Sequence, residues 1–143
     1  MLFHVSYSNK EDTRKIDSTL GKPFSIMQRL KMGGIGSPKL VMLDASLQIT
    51  NLMNLDNNRN VCNIELRPKG IIIGFRSGLD PYALIIPYHK LVVYKGSPED
   101  YSIYMDNYFV KIQARDKDQD VHQFMKKLLK AKIESGNGSV EDV

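Results

Sequence analysis

From residue 40 onward the chain is patterned like a β protein. Residues 43–50 place Leu43, Ala45, Leu47 and Ile49 at every second position, the period of a strand with one buried face. Residues 62–67 repeat the alternation with Cys62, Ile64 and Leu66. The apolar runs 71–76, 82–87 and 91–95 follow, separated by Pro68-Lys69-Gly70, by 77–81 and by Tyr88-His89-Lys90. Gly96-Ser97-Pro98 turns the chain into 101–106, and Asp106-Asn107 turns it again into 108–115, where Val110 and Ile112 alternate with Lys111 and Gln113. About seven short strands at near-regular spacing predict a small, bent antiparallel sheet or partly open barrel. The rhythm lacks βαβ units, which argues against a doubly wound nucleotide-binding sheet.

The period then changes to that of a helix. Val121, Phe124, Met125, Leu128 and Leu129 make one apolar stripe, with Asp118 or Asp120 as its cap and Gly136 as its end. The stripe is expected to face the sheet, with Lys126, Lys127 and Lys130 toward solvent. Before residue 40 the one clear signal is 23–32: Pro23 suits a first helical position, and Phe24, Met27 and Leu30 recur at spacing three. Gly33 to Pro38 reads as a flexible breaker. Three parts result: a basic extension over 1–39 with a short helix, a domain over 40–135, and a disordered tail over 136–143.

A chain of 143 residues with 42% hydrophobic and 25% charged residues has the size and composition of one folded domain. A single cysteine, Cys62, excludes an internal disulfide and a multi-cysteine zinc site. The net charge of +4 lies in residues 1–39, which hold seven basic and three acidic side chains; the remainder balances at 13 and 13. A neutral body argues against nucleic acid as a partner. The N-terminus lacks the charged and apolar regions of a signal peptide, and no stretch has the length of a membrane helix. Cytoplasmic placement is expected, with the periphery of the inner membrane as the second reading.

Strands followed by one C-terminal amphipathic helix resemble a pleckstrin-homology-like domain. Lys69-Gly70-Ile71-Ile72, the segment 84–91 (Leu-Ile-Ile-Pro-Tyr-His-Lys-Leu) and the Val121/Phe124/Leu128 stripe are similar to its bacterial, GRAM-type branch. The resemblance covers about residues 40–135. It implies a mainly β, α+β fold of seven strands capped by the helix, and a binding module without catalysis or cofactor. Members that hold inositol phosphates carry a basic cluster around the first loop and a basic–x–basic strand. This chain departs from that pattern: its loop 51–60 holds Arg59 beside Asp56, and Arg67-Pro68-Lys69 is interrupted by proline.

Other chemistry is sparse. Gly33-Gly34-Ile35-Gly36-Ser37-Pro38-Lys39 fails both the P-loop and the dinucleotide fingerprint. Residues 56–67 begin like a calcium loop but put Val61 and Arg67 at the glycine and glutamate positions. His4, His89 and His122 share no ligand spacing. Six of seven tyrosines (Tyr82, Tyr88, Tyr94, Tyr101, Tyr104, Tyr108) fall within 27 residues. An interaction surface of Tyr88, His89, Tyr94, Tyr104 and Tyr108 follows, for a protein partner or a second copy in a homo-oligomer. For a membrane surface, the expected lipid or anion contacts are Arg29, Lys31, Arg67 and Lys69.

Overall fold

The period-2 segments pair into a sheet divided at one strand. The computed structural model describes residues 1–4, 10–53, 60–78 and 80–141. The elements are β1 (Leu2–His4), α1 (Lys10–Leu20), α2 (Ile26–Met32), β2 (Leu40–Ala45), α3 (Leu47–Met53), β3 (Val61–Arg67), β4 (Gly70–Ser77), β5 (Asp80–Pro87), a 3-10 turn (Tyr88–Lys90), β6 (Val92–Ser97), β7 (Asp100–Met105), β8 (Tyr108–Gln113) and α4 (Gln119–Glu141). Among the described residues, eight strands form one antiparallel sheet in the order β1-β5-β4-β3-β2-β8-β7-β6. The fold is mainly β, with the C-terminal helix packed on the sheet.

β2 is the dividing strand. Its first residues pair with β3 (Leu40↔Cys62, Val41↔Val61) and its last with β8 (Asp44↔Lys111, Ala45↔Val110). The register shifts between Met42 and Asp44, and an extra residue in one strand bends it and increases its twist. Two half-sheets result, β1-β5-β4-β3 and β8-β7-β6, with one core between them. Ile64, Leu66, Ile71 and Ile73 from the first half meet Ile103, Val110 and Ile112 from the second in a single buried cluster. α4 closes it with Val121, Phe124, Met125 and Leu128, all buried, and with Leu129 at its margin. Each such side chain contributes about 1.5–3 kcal/mol by leaving water.

The outer face of the first half-sheet is also covered. α1 lays Ile16 and Leu20 over Ala83 and Ile85 in a second buried cluster, bordered by Phe3 and Ile72. The approach is close at Gly70, where a Cβ would collide with the Ile86 carbonyl oxygen and with Leu20 Cδ2.

Several sequence expectations change. Residues 43–50 are not one strand: β2 ends at Ala45, and α3 begins at Leu47. The Ser46 carbonyl accepts from the backbone N–H of Ile49 and Thr50, so Ile49 is buried by a helical turn while Leu47 is left outside. The short helix starts at Ile26 behind an N-cap Ser25, not at Pro23. Gly136 lies within α4, which continues to Glu141; residues 142 and 143 lie outside the described ones, as do 56–59 of the calcium-like segment. The glycine-rich breaker runs as a strap along β3, with Ser37 N–H donating to the Ile64 carbonyl and Leu66 N–H to that of Ile35, both at 2.8 Å. Among the described residues, the segment before Leu40 thus holds a strand, two helices and this strap.

Candidate interaction surface

The tyrosine cluster divides between core, cavity and surface, and strand register decides which. Ile103 and Met105 of β7 face the core, so Tyr104 between them faces outward. Tyr104 pairs with Val92 on β6 and with Phe109 on β8. Directly opposed residues share a face, so Val92, Tyr104 and Phe109 form one outward row. Tyr104 and Phe109 rings lie 5.9 Å apart at 33°. One step along, Tyr94 pairs with Ser102, Ser102 with Lys111, and Lys111 with Asp44. Leu43, in the β2 bulge, adds a further exposed apolar side chain. Val92 is 56% exposed, Tyr94 59% and Tyr104 39%, so among the described residues no helix covers this face as α1 covers the other half.

β6 also ends the sheet. Among the described residues it pairs with β7 alone, leaving the outward N–H and C=O groups of its other side without a ladder partner. Its start is held by Lys132, whose Nζ donates to the Leu91 carbonyl.

Two of the five expected surface residues belong elsewhere. Tyr88 is buried: its hydroxyl donates to the Arg67 carbonyl at 3.1 Å, and burial pushes the phenol up to about 12. Tyr108 pairs with Met105 and packs against the core, on the opposite side of the sheet from Tyr104. His89 is exposed in the 3-10 turn. Tyr94 and Tyr104 share the outer face, while sequence reasoning missed Val92, Phe109 and Leu43. The signal for Val92 and Phe109 lay in register, which hairpin lengths fix only once both turns are known.

The expected cations separate as well. Arg67 is 10% exposed and already engaged, with Nε donating to Glu65 Oε2 at 2.7 Å and Nη1 to Asp17 Oδ1 at 3.1 Å and the Gly21 carbonyl at 2.9 Å. Two carboxylates already neutralise it, so it is not available to an incoming anion. Lys69 is exposed, as are Arg29 and Lys31 on α2. Lys127, expected in solvent, reaches from α4 to donate to the Gly33 and Gly34 carbonyls.

A cavity of about 860 Å³ lies where β3, β4 and β5 meet the strap, with Lys39 and Arg76 on its wall beside Asn63, Phe75 and Tyr82. Phe75 and Tyr82 stack at 5.6 Å. Cys62 also lines it, but burial pushes its thiol up to about 12; nucleophilic chemistry needs the thiolate. His122 is held from both sides, its Nδ1 2.9 Å from the Tyr101 hydroxyl and its Nε2 3.1 Å from the Arg115 carbonyl. No described helix is long and apolar enough to cross a membrane. Comparison of the chain with protein-family models, with curated protein sequences and with solved structures finds no match to any of them.

Proposed function

We propose that this chain is a non-catalytic interaction module of the pleckstrin-homology-like type, which associates with a second copy of itself through β6 and the outer face of β6, β7 and β8. The order β5-β4-β3-β2-β8-β7-β6, with a C-terminal helix in the core, supports the fold assignment. Short strands followed by one capping helix are what the resemblance implies, with β1 and α1 added to the first half. The observation that carries the function is the uncovered apolar row Val92–Tyr104–Phe109 beside an open edge.

Antiparallel pairing of two β6 strands about a two-fold axis would satisfy the outward backbone groups of both. It would also set Val92 and Tyr94 of one β6 beside those of the other at the seam, with Tyr104 and Phe109 extending each outer row away from it. Sedimentation velocity over a concentration series tests the reading. The parent chain is expected to form a dimer that V92K/Y104K cannot form, while both unfold at the same urea midpoint at a concentration low enough for the parent to be monomeric. A parent chain that stays monomeric at the highest concentration reached overturns it.

A further inference from the structure

α2 presents its apolar side chains to solvent, and the structure assigns it as a docking element for an anionic lipid bilayer surface, independent of the sheet face above. Ile26 is 76% exposed, Leu30 75% and Met27 68%, the first two the highest exposures among the large hydrophobic residues described. A helix of seven residues is far below the ~12–15 that stand alone in water, so something other than burial of these three must hold it. Its caps do so. Gln28 N–H donates to Ser25 Oγ at 3.2 Å and Ser25 N–H to Gln28 Oε1 at 2.9 Å, a reciprocal capping box. At the other end Gly33 takes a left-handed φ of 72°, and Gly34 N–H donates to the Arg29 carbonyl at 2.8 Å. Lys127 of α4 ties down the Gly33 and Gly34 carbonyls, and Phe24 and Met32 pack against the main core. The helix is thus mounted rigidly with Ile26, Met27 and Leu30 left out.

Charge selects the occupant. At about 100° per residue, Ile26, Leu30 and Met27 span an arc of ~100°, with Arg29 ~60° beyond one side and Lys31 ~40° beyond the other. Met32, which seats in the core, falls opposite. An apolar arc with a cation on each flank suits the headgroup–acyl boundary, where the apolar side chains enter and the cations meet lipid phosphates. Between Asp17 and Asp44 the chain carries Lys22, Arg29, Lys31 and Lys39 and no acidic residue. A protein partner would bring a groove for the apolar arc; a negatively charged bilayer meets both the arc and the unbroken positive run.

Co-sedimentation of the full chain with vesicles tests this. Vesicles of equal parts phosphatidylglycerol and phosphatidylcholine are expected to bind the chain, and vesicles of phosphatidylcholine alone are not. I26S/L30S should lower binding by at least about ten-fold with an unchanged urea midpoint, since both positions are exposed. Lys31→Gln should lower it about five-fold, the worth of one cation near a charged membrane surface, and added salt should weaken it further. The chain contains no tryptophan, so Leu30→Trp supplies a single reporter whose emission should shift to the blue on anionic vesicles. Equal binding to both vesicle types, parent-like binding by I26S/L30S, or an unshifted Leu30→Trp spectrum overturns the assignment. Binding to heparin with none to anionic vesicles also overturns it, in favour of an acidic macromolecule.

Discussion

The two half-sheets are built from the same alternation, yet one is finished on both faces and the other on one. Over β4 and β5 the outer residues Ala83 and Ile85 are sealed under Ile16 and Leu20 of α1. Over β6, β7 and β8 the corresponding outer residues Val92, Tyr94 and Tyr104 stand exposed. The edges differ in the same sense. The first half ends in the three-residue β1 and the second in the six-residue β6, and neither has a described strand beyond it. Residues 1–39 therefore complete one half of the molecule. The same hydrophobic logic that docks α1 on the first half leaves an exposed apolar row on the second.

Substitutions on the two faces should behave in opposite ways. The largest effect is expected under α1: Leu20→Ala, at a fully buried position, should cost about 2–5 kcal/mol in urea unfolding through lost burial and a residual cavity. Leu128→Ala beneath α4 should cost a similar amount. Gly70→Ala should cost about 1–3 kcal/mol, because its Cβ meets strand backbone as well as Leu20. A parent-like midpoint for Leu20→Ala would break the comparison, showing that α1 does not seal the first face.

The interior of the first half should also carry a pH signature. Burial pushes Cys62 up from 9.0 and Tyr88 up from 10.0, each to about 12. Both groups hold their protons more tightly folded than unfolded. Their contribution to stability is intact below pH 9.0, where the unfolded thiol starts to ionise, and is lost as pH rises toward about 12. Urea midpoints should fall over that window, with Cys62→Ala flattening the earlier part. The smallest effect is expected on the bare face, where Val92→Lys should change the stability of the monomer by no more than about 0.5 kcal/mol while abolishing association.

How far the sequence reveals this design follows from which forces are local. Period-2 runs located most strands, and the Val121/Phe124/Leu128 spacing located α4, because each buries a single continuous face. α1 escaped notice because only Ile16 and Leu20 of its eleven residues are buried. α3 was hidden because Leu47 and Ile49 imitate a strand, and only the exposure of Leu47 separates the two periods. The outward position of Tyr104 could be read from Ile103 and Met105. The burial of Tyr88 could not, since it depends on the Arg67 carbonyl across the sheet. Nor could the neutralisation of Arg67, which depends on Asp17 fifty residues earlier in the chain. The apolar arc of α2 was legible as a stripe through Met27 and Leu30, but Phe24, read into it, lies before the helix and packs against the core.

The contrast between the two edges is tested most directly by amide hydrogen exchange followed at low and high protein concentration. The account requires protection of Val92–Ser97 to rise with concentration while that of β4, already paired on both sides, stays constant. β6 amides that exchange equally fast at every concentration would contradict it.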